Sequence, residues 1–471
     1  MIESVYSPNE MHFYLFTHGN KYYYYNYDRN VILQITYKLF SIISKYQNGE
    51  NLDNEEIKYI REMDEAELLN CYSCLDYNNE SMPNVAYLSF APTYHCNFSC
   101  SYCFGECGSY YKESVRSFSE ENLLDMLNCF FYKLFPQSKH YRIDFVGGGE
   151  PLLGFSTIKE TIYYCEQFEK KTGKMVSIWL CCNGSLLTDE IIEFLSKHNV
   201  SIGISIDGDK PFNDMHRKFA NGYGTYDEIV KGIYLIKNSC NVSNKFKNIW
   251  GLCTATNENC NFTNILIHLK SLGFENAQIR LIRSNKGYNI TKIVDEYERM
   301  SSMLLSTYKN GDLELLRMIL NDNDQFGKVL KRVMLGNIVL RRCNAGINKV
   351  TICPDGTIYP CDSLVGNENY IIGTLKNGIL DNAIFNATTV DTIPKCRNCD
   401  IKYLCGGDCY YNSLKKTNDI MKPDKEYCQL QRAILHISLI LLLDLQLANE
   451  DLFRKLIKEI IIKEKYHELH G

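Results

Sequence analysis

Three cysteines, Cys96, Cys100 and Cys103, lie within eight residues of one another. They follow an apolar run, Val85-Ala86-Tyr87-Leu88-Ser89-Phe90, that reads as a buried strand. Loops at the ends of such strands are where α/β proteins keep their chemistry. Three thiolates on one loop can hold three irons of a 4Fe-4S cluster and leave the fourth iron without a protein ligand. A zinc site asks for a fourth Cys or His, and Cys107 is near enough in sequence to supply one. A second concentration runs from Cys343 to Cys428, so the thiols gather in two places.

The elements that must position these residues follow in chain order. Met11–Phe16, Lys21–Tyr27 and Val31–Ile35 read as three short strands, with Gly19-Asn20 and Asp28–Asn30 as turns. The run Tyr22–Tyr25 reads as a half-buried strand, and Tyr37–Tyr46 and Glu55–Met63 read as helices. Cys71 and Cys74 form a C-x2-C pair with no second pair nearby, which argues against a metal site there. From about residue 84 a β/α alternation sets in. Ser119 is an N-cap candidate, with Phe118 and Leu123 spaced as a hydrophobic staple. Arg142–Val146 is a strand ending in Gly147-Gly148-Gly149-Glu150-Pro151, where glycines would let the backbone approach a ligand closely. Further strands are expected at Val176–Cys181, Val200–Ile206, Asn248–Thr254 and Ala277–Leu281, with helices between. About six β/α units are too few for a closed eightfold barrel. The expected fold is α/β, a partial (β/α)6 barrel with its working face at the strand C-termini.

Composition narrows the class. Lys plus Arg number 51 against 56 Asp plus Glu, a net charge of −5, and no basic stripe marks a nucleic-acid partner. No run of 18 apolar residues is present, and Met1-Ile2-Glu3-Ser4 lacks the features of a signal peptide, so neither membrane insertion nor export is expected. The cytoplasmic location this implies is reducing, and 21 cysteines there are no disulfide framework. Cys129, Cys165 and Cys240 fall in helical patterns and read as small core residues.

The spacing C-x3-C-x2-C, with aromatic Tyr102 before the last cysteine, resembles the signature of radical S-adenosylmethionine (SAM) enzymes. That resemblance implies a 4Fe-4S cluster on Cys96, Cys100 and Cys103 whose open iron chelates the amino and carboxylate groups of S-adenosyl-L-methionine. Reductive cleavage then gives methionine and a 5′-deoxyadenosyl radical. It further implies that Gly148, Gly149 and Glu150 hold the methionyl amino group. Cys182-Asn183-Gly184-Ser185-Leu186-Leu187, Gly203-Ile204-Ser205-Ile206-Asp207-Gly208 and His216-Arg217 resemble the members that act on peptides and proteins. By that alignment Ser205 and Arg217 contact the SAM carboxylate or ribose, a role for which a bidentate guanidinium is suited.

Cys343 and Cys361, with Gly356 between them, are followed by Cys396-x2-Cys399-x5-Cys405-x3-Cys409 and then Cys428. Asp355-Gly356 between two short apolar segments signals a hairpin. Together these resemble the SPASM domain, an extension that carries two auxiliary 4Fe-4S clusters and brings the implied total to three. A zinc ribbon would use only the Cys396/Cys399 and Cys405/Cys409 pairs. The resemblance gives Cys396, Cys399, Cys405 and Cys428 to the second auxiliary cluster and Cys343, Cys361 and Cys409 to the first. The fourth ligand of the first is either Cys353 or an open site. Asp362 matches the aspartate proposed as a base in anaerobic sulfatase-maturing enzymes, and also reads as a solvated turn carboxylate.

A small sheet followed by helices ahead of such a core resembles the winged-helix element that grips the leader of a precursor peptide by strand addition. The implied organisation is a recognition domain at 1–83, the radical SAM barrel at 84–310 and a helical bridge at 311–342. The SPASM domain follows at 343–430 and a helical segment at 431–471. Leu430–Leu447 is expected to pack as a buried helix, and Lys455–Lys465 as a solvated one. The whole resembles maturases that install thioether crosslinks in Cys-rich ribosomally made peptides, with a flavodoxin or ferredoxin as reductant. Formylglycine formation in a partner protein and carbon–carbon crosslinking use the same parts. A multi-cluster electron carrier would have no use for Gly148–Glu150 or Arg217.

Overall fold

A computed structural model of the chain describes residues 13–69, 85–109, 116–239, 249–283 and 287–470; Cys71, Cys74 and Cys240 lie outside the described residues. The chain opens with three strands, β1 (Phe13–His18), β2 (Lys21–Asn26) and β3 (Val31–Ile35), paired antiparallel in that order. Two helices follow, α1 (Tyr37–Gln47) and α2 (Asn54–Glu65). Thr36 caps α1. A reciprocal capping box starts α2, with Glu56 N donating to Asp53 Oδ1 at 2.8 Å and Asp53 N to Glu56 Oε2 at 3.0 Å. Phe13, Tyr24, Ile42, Ile43, Ile60 and Met63 share a small core of their own. Tyr23, Tyr25 and Tyr27 leave from the opposite face of β2 and enter the main core, so this strand is covered on both sides.

The main sheet begins with six parallel strands in sequence order: β4 (Val85–Phe90), β5 (His140–Phe145), β6 (Met175–Cys182), β7 (Ser201–Ser205), β8 (Ile249–Ala255) and β9 (Asn276–Leu281). Helices α3 (Glu120–Asn128), α4 (Phe155–Thr172), α5 (Asp189–Lys197), α6 (Lys210–His216), α7 (Tyr226–Asn238) and α8 (Phe262–Ser271) connect them. Ser119 caps α3 as expected, while Phe118 packs edge-on against Phe90. Next come α9 (Ile290–Lys309), α10 (Glu314–Ile319) and α11 (Gly327–Leu335).

The sheet does not stop at six strands. β10 (Lys349–Ile352) pairs parallel with β4, and β11 (Thr357–Tyr359), β12 (Gly373–Thr374) and β13 (Gly378–Ile379) extend it antiparallel to ten. Asp355-Gly356 turns the β10–β11 hairpin, Gly356 taking a φ of +82°. The C-terminal cysteine region is therefore built onto the open edge of the parallel sheet, an edge that would otherwise present unpaired backbone groups.

Short helices α12 (Ala383–Ala387), α13 (Pro394–Arg397), α14 (Lys402–Cys405) and α15 (Tyr410–Thr417) carry the later cysteines. The chain ends in α16 (Lys425–Ala448) and α17 (Glu450–His470). By length and composition α16 could cross a membrane, yet Leu430, Ile434, Leu435, Leu439 and Leu445 are buried within the fold. It packs on α9 and α11, and reaches β1 through His436 against Phe16 and Asp444 at 3.0 Å from His18 Nε2. The tail departs from the solvated helix expected of it: Leu456 and Ile460 of α17 are buried. Glu464 and Glu459 bind Lys331 and Arg317 at 2.6 and 2.9 Å. Apolar residues at helical spacing gave α17 a face to bury.

Candidate radical and cluster centres

Strand β4 delivers Cys96, Cys100 and Cys103 to the C-terminal end of the parallel sheet, and three other strand ends stitch their loop down. Asn183, just past β6, donates from Nδ2 to Asn97 Oδ1 at 2.8 Å, and Asn97 Nδ2 reaches Ser185 Oγ at 2.9 Å. The residues at the end of α6 run alongside the loop. Ser99 N and Ser101 N donate to the carbonyls of Lys218 and His216 at 2.6 and 3.0 Å. Ser101 Oγ meets His216 Nδ1 at 2.9 Å.

Asp207 is the hub below the loop. It is fully buried and takes Arg217 bidentately, Nε at 3.0 Å and Nη2 at 3.3 Å. It also accepts from Thr254 N at 2.9 Å and from the Tyr102 hydroxyl. The guanidinium lies 5.4 Å from the centre of the Tyr102 ring. So the aromatic residue between the second and third cysteines is clamped by the pair that joins the end of β7 to the end of α6. The sequence reading quoted Asp207 without giving it a role. An acidic residue two positions past an apolar strand, ten before an arginine, was the available signal.

The glycine-rich turn after β5 is pressed against the same loop. A Cβ at Gly149 would stand 2.1 Å from Thr93 O and 2.8 Å from His95 O, so only glycine fits there. Glu150 N donates to His95 O at 2.8 Å. The Glu150 side chain accepts from Asn183 N at 2.7 Å and Leu152 N at 3.1 Å, and burial pushes its carboxyl up to about 7 against the pull of those two N–H groups. Ser205 ends β7 beside Cys181, Oγ to Sγ 4.0 Å. Cys181 in turn feels both Glu150 and Arg217 electrostatically.

The thiols of the loop are half-buried, and burial raises Cys96 to about 12. Cys103 is lowered, first by the Cys107 thiol and then by backbone N–H groups, Cys107 N standing 3.3 Å from its sulfur. Among the described residues no three Cys, His, Asp or Glu side chains converge as they would around one metal ion. Zinc draws its ligands around a single atom, whereas a cubane spreads its thiolates over separate irons.

In the C-terminal region Cys396, Cys399, Cys405 and Cys428 line one cavity of about 180 Å³. Arg432 Nη2 donates to Cys399 Sγ at 3.5 Å, and its Nη1 to Asp400 Oδ2 at 3.0 Å. Cys343, Cys361 and Cys409 form a second group: Cys409 acts on both Cys343 and Cys361, and all three raise Arg283, Cys409 above all. Arg283 Nη1 donates to Ser363 Oγ at 2.8 Å. Asp362, the candidate base, faces Lys349 Nζ at 3.9 Å and Ser363 Oγ at 3.4 Å, so a cation and a hydroxyl flank it rather than open water. Cys353 is fully buried with Ala91, Tyr94, Tyr359 and Val365, its sulfur 3.4 Å from the Tyr94 hydroxyl.

Comparison with known proteins agrees with this geometry. Residues 90–261 match the model of the Radical SAM superfamily. The cysteine-type anaerobic sulfatase-maturating enzyme of Clostridium novyi (strain NT) is 24% identical over 354 residues, 70% of this chain and 89% of that one. The radical SAM cyclopropyl synthase TigE of Paramaledivibacter caminithermalis is 23% identical, covering 72% of this chain and 71% of its own. Among solved structures, anSMEcpe with bound AdoMet and Cp18Cys peptide aligns over 78% of this chain and 99% of its own, with a TM-score of 0.61 at 19% identity. Residues 90–261 of this chain are a radical SAM domain, set in the fold of that structure.

Proposed function

We propose that the protein is a SPASM-type maturase that uses SAM to crosslink a cysteine sulfur to carbon within a ribosomally made, Cys-rich precursor peptide. The observation that carries this reading is the separate N-terminal unit. The unit at residues 13–69 has its own core and ends its sheet on β3. An edge strand of that kind takes up an extended leader by strand addition.

When bound, the first cluster and SAM together supply the 5′-deoxyadenosyl radical. The chain's own residues do the rest. Glu150 offers a buried carboxylate to the methionyl ammonium, and Arg217 and Ser205 face the carboxylate and ribose. Gly149 lets the loop close over them. In the 343–430 region, Cys343, Cys361 and Cys409 would hold the first auxiliary cluster and Cys396, Cys399, Cys405 and Cys428 the second. A flavodoxin- or ferredoxin-type protein supplies the electron. Asp362, with Lys349 Nζ 3.9 Å away, accepts the proton lost from the substrate.

The names of the relatives favour a second reading, oxidation of a protein Cys or Ser to formylglycine. Mass spectrometry of a Cys-rich peptide incubated with the reconstituted enzyme separates the two. A thioether leaves the peptide two hydrogens lighter and retains sulfur. Alkylating the thiols beforehand abolishes that loss. Formylglycine from cysteine removes sulfur, and a mass loss that survives alkylation points to a carbon–carbon link.

A further inference from the structure

Cys428, Gln431 and Arg432 stand at i, i+3 and i+4 of α16, so they share one face of the helix. That face lines the cavity of Cys396, Cys399 and Cys405. Gln431 is 2% exposed, and neither Nε2 nor Oε1 has a hydrogen-bond partner. A primary amide buried with its donors unused is costly, and such groups call for a partner that belongs in the site. Arg432, held bidentately by Asp400 with Nη2 2.5 Å from Oδ1, also brings that Nη2 to 3.5 Å from Cys399 Sγ, so a cysteine sulfur is a partner this cavity offers.

We propose that Gln431 and Arg432 are N–H donors to the sulfurs of the second auxiliary cluster and raise its reduction potential. The inference rests on the reading that Cys396, Cys399, Cys405 and Cys428 hold a 4Fe-4S cluster. Reduction adds negative charge to the cluster, so donors aimed at sulfur favour the reduced form, and hydrogen bonds to sulfur are a main determinant of such potentials. The Arg432 side chain is 44% exposed, so water screens its charge. Gln431, sealed from solvent, exerts the larger effect. A raised potential makes this cluster the place where an electron released by the substrate comes to rest.

The test is an EPR-monitored redox titration of the full-length protein, reconstituted anaerobically. Gln431→Met fills the same space without donors. It should move one cluster to lower potential while iron content and the other signals stay as in the parent. Arg432→Met should shift the same signal less, and Arg432→Lys should restore part of it. Cluster-free Gln431→Met should also melt above the cluster-free parent, because the orphan amide is gone; a purely structural glutamine would give the opposite sign. An unmoved potential with full iron overturns the proposal. If the shifted signal survives Cys399→Ala, the assignment of the cluster to these cysteines fails instead, and the proposal with it. Should Gln431→Met fail to assemble, the Arg432 pair decides alone, an unchanged potential there being a refutation.

Discussion

Replacing Arg217 by Met tests the clamp beneath the radical cluster. The substitution keeps length and apolar contact with Tyr102 but leaves Asp207 buried without its cation. The two side chains are 9% and 0% exposed, so solvent cannot take the place of the missing charge. Removing one partner of a buried pair costs about 3–5 kcal/mol. Thr254 N and the Tyr102 hydroxyl still donate to Asp207, which argues for the lower end of that range. The effect should also depend on pH. A buried carboxylate without a counter-charge takes up a proton more readily, so its pKa in the variant rises above the unfolded value. The penalty is then present at pH 8 and shrinks as pH falls toward 5. Urea unfolding of cluster-free protein, under reductant at the two pH values, gives both numbers. Adding Asp207→Leu to Arg217→Met should recover part of the loss, with a coupling of roughly 2 kcal/mol, because no lone charge remains. A penalty below about 1 kcal/mol, equal at both pH values, would refute the buried clamp.

Other outcomes follow from the same geometry. Glu150 titrates near 7, so SAM should bind the reconstituted protein more tightly as pH rises toward 7, by up to about tenfold per unit below that value. Calorimetry should show that slope vanish in Glu150→Gln. Cys399→Ala or Cys428→Ala should remove about a third of the iron and most peptide product, while uncoupled formation of 5′-deoxyadenosine persists, as read by iron assay and chromatography. Backbone N–H groups alternate in direction along an edge strand, so of Leu33→Pro and Gln34→Pro one disrupts pairing with β2 and the other only blocks the free edge. The second kind should lose leader affinity with an unchanged melting temperature; equal affinity in both would leave this domain a structural cap.

Much of this was legible in the sequence because the signals are local. The β/α alternation, the cap at Ser119, the Asp355-Gly356 turn and the cysteine spacings each depend on residues a few positions apart. What stayed hidden depends on distance. Asp207 and Arg217 meet Tyr102 across more than a hundred residues, and no spacing rule announces a buried hub. Cys353 meets Tyr94 from far along the chain. Gln431 is an ordinary helix residue until the helix is laid against the cavity. The tail α17 carried its apolar stripe openly, but charge dominated the reading and the stripe decided the packing.

The shared sheet has a consequence for synthesis. β4 finds its second parallel neighbour only in β10, and the buried hydroxyls of Ser89 and Thr351, 2.6 Å apart, are separated by 262 residues of chain. As the polypeptide leaves the ribosome, one side of β4 stays unpaired until three quarters of the protein has been made. Such late, long-range closure is slow and exposes a sticky edge while it waits. The radical domain is therefore not a module that can be cut out: a chain ending after β9 would carry that open strand permanently and associate through it. The C-terminal region completes the very sheet that carries the Cys96–Cys103 loop.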